Sequence, residues 1–522
     1  EQMKIEWKKA SLGRRTFLKG ATALGAASLL PLGFASRAMA QADGVLRVRS
    51  YGDLSTMDPA HSVGVVDENI HAAVYNKLIQ YKPGTEWGWQ MDAAAMIEQA
   101  DPTHIKFALR DDIGFTNGHG AMTAEDVKFS FERIIAEATE SPNKPDMGSL
   151  SHVEVTGERE GTIVLNAPFA PLWTIALPYI TGSIISKSAT EAAGGRIGTD
   201  PVAESGPYLR DSWSAKEKTV LKRNPDWKGD APAWDSIEIL PIDDENTAEI
   251  AFDAGELDLT RVSLGSVERY RAEVPNGGKL IENPSLYYVW LGMNLDHPKL
   301  QNIKLRQAIQ HAIDVPSILQ AAYFGAAAPS TGIIAPGLIG HRPSEMVAPE
   351  ADFAKAAELL AESGETNVTL TLDLLNKTEF TTTAQIIQAT LAQIGITVEI
   401  NLLESGAFWA SGENKDLQLV LNRFSMAPDP SYATAWFTTE QAGIWNWERF
   451  RNEEFDALHK AASEESDNAK RDEMYRRAQD LMEESGAYRF ITHEATPVVH
   501  SSRIMPALRP DGLPLLRYFG KA

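Results

Sequence analysis

The sequence predicts an α/β protein built from more than one domain, and three observations carry that expectation. The chain has 522 residues, too many for one small core. Apolar residues make up 43% and charged residues 23%, the balance of a globular protein. Between 368 and 402 the pattern changes period twice. Val368, Leu370, Leu372 and Leu374 alternate with polar residues; Ile387, Leu391 and Ile394 follow at helical spacing up to Gly395; Ile396, Val398, Ile400 and Leu402 alternate again. That is a β-α-β unit, which crosses right-handed and makes a parallel sheet.

The first forty residues read as an export address. Gly13-Arg14-Arg15-Thr16-Phe17-Leu18-Lys19 is a twin-arginine pattern, Ala21–Leu30 is mildly apolar, and Ala38-Met39-Ala40 offers small residues for a signal peptidase. The segment holds seven Lys/Arg against two Asp/Glu and is too short to span a bilayer. A periplasmic protein, exported by the twin-arginine route and cut near Ala40, is expected.

Further along, Gly44–Ser50 alternates as a first strand, followed by a polar loop from Asp53 to Pro59. Ile70, Ala73, Val74, Lys77 and Leu78 give a helix over 69–80, and Ile105, Phe107 and Leu109 a strand over 104–110. Gly114–Gly120 is glycine-rich without phosphate-loop spacing, so nucleotide binding is discounted. Thr123 with Asp126 makes a capping box ahead of a helix whose stripe is Val127, Phe131, Ile134 and Ile135. Gly206-Pro207 is a tight turn, and Leu305, Ile309, Ala312 and Ile313 share one buried helix face. Residues 452–481 form a charged helix, broken near Ser466, that reads as a solvated outer surface.

The stretch from Leu417 to Trp447 suggests the site. Leu417–Leu421 is an apolar strand; Asn422–Met426 follows where the strand would expose its end; Pro428-Asp429-Pro430 stops the ladder; then come Tyr432, Trp436, Phe437, Trp445 and Trp447. Ligands in open α/β sheets sit at strand ends, in pockets of aromatic walls with a few placed polar groups. Arg423, Phe424, Met426, Trp436, Trp445, Asn446 and Trp447 fit that wall, although aromatics could equally fill a protein contact. Tyr51 and Asp53, after the first strand, stand where an opposite wall would reach the ligand, with a turn acceptor as the other reading of Asp53. Trp409 is pocket or core. Trp290, beside Tyr287 and Tyr288, reads as packing near a chain crossing.

Composition excludes several functions. A net charge of −22 suits no general nucleic-acid binder, and the absence of cysteine removes disulfides, thiolate metal sites and cysteine nucleophiles. His493-Glu494 is followed by Pro497 where a metalloprotease needs histidine, no Gly-x-Ser-x-Gly elbow occurs, and Asp243-Asp244-Glu245 lacks calcium-loop spacing. No catalytic residue, metal ligand or cofactor site is assigned, and His61 and His71 read as ordinary histidines.

Several blocks resemble one family. Phe107–Asp112, Phe115, Gly118 and Thr123-Ala-Glu-Asp-Val-Lys-Phe-Ser-Phe-Glu-Arg133 resemble the signature of the family 5 extracytoplasmic solute-binding proteins, the peptide, nickel and opine receptors of ABC importers. Ser205–Tyr208, Arg223–Trp227, Ala254–Asp258, Leu305–Ile309 and Ala312–Asp314 resemble further blocks of that family, in order. The resemblance implies a two-lobed periplasmic-binding fold, type II-like, with an additional domain. Lobe I would be 41–60 plus 183–285 plus 489–522, the additional domain 61–182 and lobe II 286–488, with crossings near 285 and 489. It implies a monomer that captures a small-molecule ligand between its lobes and serves a membrane permease and ATPase. A secreted hydrolase or lyase, or a chemosensory co-receptor, are the alternatives. Met426 stands where the dipeptide-binding branch has its aspartate for the peptide amino group, and apolar Leu374 near its arginine for the carboxylate. A peptide-like, opine-like or sugar-derived solute with a carboxylate or phosphate is therefore expected, with Arg423 as its bidentate partner.

Overall fold

The computed structural model describes residues 44–522; the twin-arginine segment and Ala38–Ala40 lie outside them. The β-α-β unit is present as Thr369–Leu375, helix Thr378–Gln393 and Thr397–Leu403, the two strands pairing in parallel. It belongs to a five-stranded sheet in the order 397–403, 369–375, 419–425, 287–293, 488–492. A seven-stranded sheet runs 279–284, 495–500, 259–261, 45–50, 236–241, 218–223, 208–214. A four-stranded antiparallel sheet from residues 94–165 stands apart from both. Each sheet has its own apolar core, because each must bury a face.

The chain passes between the two large sheets twice. Lys279–Pro284 hands over to Tyr287–Met293 through Ser285-Leu286, and Tyr488–Thr492 to Ala495–His500 through His493-Glu494. The two passages lie side by side: the Ser285 hydroxyl donates to the His493 carbonyl at 3.3 Å.

Local rules hold where the sequence is unambiguous. The Thr123 N–H and hydroxyl both donate to the Asp126 carboxylate, at 2.9 and 2.8 Å, and helix Ala124–Ile135 follows. Thr123→Ala is expected to cost about 1 kcal/mol of stability in urea unfolding, the usual worth of a lost cap; an unchanged midpoint would refute that role. At the Gly206-Pro207 turn a side chain is impossible, because a Cβ on Gly206 would stand 2.5 Å from the Ala73 carbonyl oxygen.

Elsewhere tertiary contacts redraw the boundaries. The helix expected over 69–80 spans Val65–Val74 instead, and Ile79–Tyr81 is a strand paired with Trp89–Met91. Tyr75 is extended, and the next amides go to distant partners: Asn76 N–H to Ser205 Oγ (2.9 Å) and Lys77 N–H to Asp92 (2.8 Å). Lys77 is a buried ion pair with Glu68 (2.8 Å), not a helix-face residue. The charged helix does break, into Glu453–Glu464 and Asn468–Glu484, but its second half is no solvated surface. Tyr475, Gln479 and Met482 are buried, and the Gln479 amide holds the 332–340 loop through the Ile334 N–H and the Gly340 carbonyl.

Candidate functional site

Strand direction locates the site. In the seven-stranded sheet, 45–50 runs parallel to 236–241 and 259–261, and 259–261 runs toward the start of 495–500. In the five-stranded sheet, 369–375 runs parallel to 397–403 and 419–425, and Ser425 ends opposite Tyr287, directly after the first passage. The carboxyl ends of the parallel strands of both sheets therefore meet at the two passages. Open α/β sheets place ligands at such ends.

On the five-stranded side, four of the rings expected from the sequence come together. Trp409, on helix Ser405–Ser411, lies nearly parallel to Phe424 at 6.3 Å. Trp445 meets Trp409 (6.4 Å), Phe424 (6.1 Å) and Trp436 (5.4 Å) edge-on, and Trp436 meets Phe424 at 6.2 Å. Trp409 is 42% and Trp445 40% exposed, unusual for residues with so much apolar surface. Such an array offers ring faces and edges to a ligand.

The other expected residues are placed differently. The strand spans Leu419–Ser425, so Arg423 and Phe424 lie inside the ladder rather than beyond its end. Neighbours on a strand point to opposite faces. Phe424 joins the core of Tyr288, Trp290 and Phe437, and Arg423 lies on the face of Leu421 and Val289. There Arg423 is already held: Nε and Nη2 donate to Glu494 Oε1 and Oε2 at 2.7 and 2.8 Å, and its guanidinium carbon stands 3.5 Å over the Tyr287 ring. Met426 is buried in the core with Trp290. Asn446 is wholly buried, its amide donating to Phe437, Thr438 and Phe450 carbonyls while its oxygen accepts from the Phe450 N–H. Trp447, 1% exposed, packs against Gly412 and donates to the Ile444 carbonyl (2.9 Å). Asn446 and Trp447 thus fix the loop that carries Trp445. On the opposite side Tyr51 is 54% exposed, and burial followed by the nearby Tyr287 hydroxyl raises its pKa. Asp53 accepts from the neighbouring Leu54 N–H (2.8 Å) and from the distant Trp213 Nε1 (2.9 Å) and Lys216 N–H (2.7 Å), so its carboxylate ties its own loop to the turn between strands 208–214 and 218–223.

Two features gave no signal in the sequence. Glu494 is 71 residues from Arg423, and nothing local pairs them. Two adjoining cavities, ≈370 and ≈300 Å³, lie between the four-stranded domain and the 428–430 and 464–471 segments, and share Trp89, Trp173, Thr174 and Asn468. The Thr174 hydroxyl bridges them to Asp429 at 2.7 Å. Neither cavity is lined by the four rings or by Arg423.

Beneath the rings lies a buried acid. Glu448 accepts from Trp290 Nε1 at 2.7 Å and interacts with the Tyr488 hydroxyl, while the Tyr288 hydroxyl and the Asn422 amide nitrogen have no partner among the described residues. Burial pushes the Glu448 carboxyl up to about 7. A raised folded pKa means the native state keeps a proton that the unfolded chain has lost above its ordinary 4.5. Its contribution is complete below that value and disappears as pH rises through 7. Glu448→Gln, which keeps the Trp290 acceptor, should therefore gain stability relative to wild type between pH 5 and pH 7, by roughly 1.4 kcal/mol per pH unit at most. Parallel denaturant curves across that range check it; a constant difference would mean Glu448 is ionised in the native state.

Among the described residues no cluster of three or more His, Asp or Glu is arranged to hold a metal, and no helix is long and apolar enough to cross a membrane. His71 is buried, its Nε2 against the Thr56 carbonyl (3.0 Å), and the His61 Nε2 lies against the Thr139 carbonyl (3.1 Å).

Residues 89–444 match the family described as bacterial extracellular solute-binding proteins, family 5 Middle. The glutathione-binding protein GsiB of Escherichia coli K12 is 25% identical over 506 residues, covering 94% of this chain and 96% of its own. The probable D,D-dipeptide-binding periplasmic protein DdpA of the same organism is 25% identical over 460 residues, 86% of this chain and 88% of its own. Among solved structures, HbpA2 from Haemophilus parasuis superposes with a TM-score of 0.81 at 23% identity, covering 92% of this chain and all of that one. DppA from Helicobacter pylori in complex with the peptide STSA gives 0.70 at 25% identity, over 92% and 98%. The architecture is thus the two-lobed periplasmic-binding fold.

Proposed function

The chain belongs to the bacterial extracellular solute-binding proteins, family 5, and on that premise we propose how it serves as the substrate-binding receptor of an ABC importer. It captures a small polar organic solute, peptide-like or a related carboxylate- or phosphate-bearing molecule, and delivers it chemically unchanged to a permease. The observation that carries this reading is the meeting of parallel-strand carboxyl ends from two sheets at two adjacent chain passages, with exposed Tyr51 on one side and the Trp409–Phe424–Trp436–Trp445 array on the other. Two bodies joined by two short passages close by a hinge, and a ligand drives closure only through contacts with both.

We place one lobe on the seven-stranded sheet (44–60, 183–285 and 494–522) and the other on the five-stranded sheet (286–493), with 61–182 as the additional domain; the second crossing falls at His493-Glu494 rather than near 489, because Tyr488–Thr492 is a strand of the five-stranded sheet. The relatives named for glutathione and D,D-dipeptides support a peptide-like ligand. Apolar Met426 and Leu374 argue against recognition of free dipeptide ends at those two positions. The ring array would hold a side chain or ring of the ligand, and Arg423 its anionic group. The receptor acts as a monomer in the periplasm.

Native mass spectrometry of the purified protein, followed by release and identification of the bound molecule, tests the reading. An unmodified solute that rebinds stoichiometrically supports it; turnover of the released molecule by the protein would overturn it. Export is tested separately. Arg14→Lys with Arg15→Lys should leave the precursor in the cytoplasm, and unchanged periplasmic yield would exclude the twin-arginine route.

A further inference from the structure

We infer that Glu494 occupies the anion position of Arg423 in the empty receptor, and that a carboxylate or phosphate of the ligand displaces it, coupling ligand charge to the hinge. The inference rests on the receptor reading above and deepens it.

The geometry is that of a guanidinium with an oxyanion already in place. Glu494 presents both carboxylate oxygens to Nε and Nη2 of Arg423, the fork arrangement by which arginine recognises carboxylates and phosphates. The occupant is part of the protein and sits on the second passage between the sheets, immediately after the Tyr488–Thr492 strand. Its backbone has φ of +34°, a conformation that residues with a side chain seldom adopt and that is maintained only where surrounding contacts enforce it. The ion pair with Arg423, on a strand of the other body, is such a contact. Removing the carboxylate from Arg423 frees both the guanidinium and the backbone of the passage.

The surroundings suit an incoming anion. The guanidinium stacks on Tyr287, the first residue of the strand after the first passage, so it stays oriented when its carboxylate leaves. The Arg423 side chain is about one-quarter exposed and that of Glu494 one-tenth. Tyr323 is buried close enough to the pair for both charges to act on it. The passages are joined through Ser285 and the His493 carbonyl, so motion at Glu494 reaches both. The ligand class follows. The site selects solutes with a carboxylate or phosphate, because only an oxyanion replaces Glu494 without leaving Arg423 unpaired in a half-buried place. A neutral ligand would have to bind beside an intact pair and would leave the passage as it is.

The test needs no knowledge of the natural ligand. Acetate and acetamide are a charged and a neutral probe of nearly equal size, and inorganic phosphate adds the second oxyanion. Thermal stability is followed as each is titrated into the mature wild type, Glu494→Gln and the double variant Glu494→Gln/Arg423→Gln. In Glu494→Gln the internal competitor is gone, and one of the two oxyanions should bind about tenfold more tightly than in wild type. Acetamide should have no saturable effect, and the double variant should respond to neither anion. A preference for acetate over phosphate, or the reverse, names the anion the natural ligand carries. Glu494→Gly, compatible with positive φ, repeats the measurement should Glu494→Gln fold poorly. The chain has no cysteine, so spin labels on the exposed positions E217C and E399C report the separation of the two sheets without background labelling. The oxyanion should change that separation in Glu494→Gln and leave it unchanged in the double variant. Equal responses to acetate and acetamide, or an anion effect that survives loss of Arg423, would overturn the inference. Either result leaves the receptor reading standing, since that depends on recovering an unaltered solute.

Discussion

Replacing Trp409 or Trp445 by alanine is expected to weaken binding of the molecule recovered with the protein by roughly 2 kcal/mol each, about thirtyfold in Kd. The magnitude follows from position. Each ring is about two-fifths exposed, packed edge-on or nearly parallel to its neighbours, and has surface left for a ligand to cover. Stability should change by less than about 1 kcal/mol, as for partly exposed side chains without buried polar partners. Trp447→Ala is the contrasting case. Its ring is buried against Gly412, so its loss opens a cavity and should lower stability first and affinity only as a consequence. Titration by intrinsic fluorescence or calorimetry separates the two behaviours. Wild-type affinity in both the Trp409 and Trp445 variants would remove the array from the ligand site.

Trp290→Ala is expected to produce the largest loss of stability, about 4 kcal/mol. Trp290 is completely buried, stacked on Tyr288 at 5.3 Å and edge-on to Phe424 (5.0 Å) and Phe437 (5.5 Å). It also supplies the indole N–H that Glu448 accepts. Truncation opens a cavity and takes a donor from a buried carboxyl, two costs that add. Trp290→Phe restores most of the volume but not the donor and should recover about half of the loss. Urea unfolding measures both; a loss below about 1 kcal/mol for Trp290→Ala would show that the core collapses around the site. Because Trp290 lies directly behind Phe424, the same variant should blur the ring array and lower affinity together with stability.

Periodicity made the β-α-β unit legible, and the Thr123–Asp126 cap was readable because its partners are three residues apart. The helix that periodicity predicts over 69–80 ends at Val74 because the amides of Asn76 and Lys77 are claimed by Ser205 and Asp92, partners that no local window contains. The ring array was half legible. Aromatic residues clustered near a strand end and a proline stop are visible in sequence, and Trp409, Phe424, Trp436 and Trp445 do assemble. Asn446 and Trp447 are chemically just as suitable, yet the loop folds so that they face inward.

The amino-acid order alone settled what is local: alternation, helical stripes, caps, turns, and a family signature made of such blocks. It could not settle where a ladder stops, because that depends on which strands lie alongside. Pairing of Ser425 with Tyr287 extends the strand through Arg423 and Phe424 and sends their side chains to opposite faces. Nor could it reveal that Arg423 meets Glu494 at a passage between the two sheets, for the charge that satisfies a half-buried guanidinium is chosen by proximity in space, and proximity arises only when the chain has crossed twice.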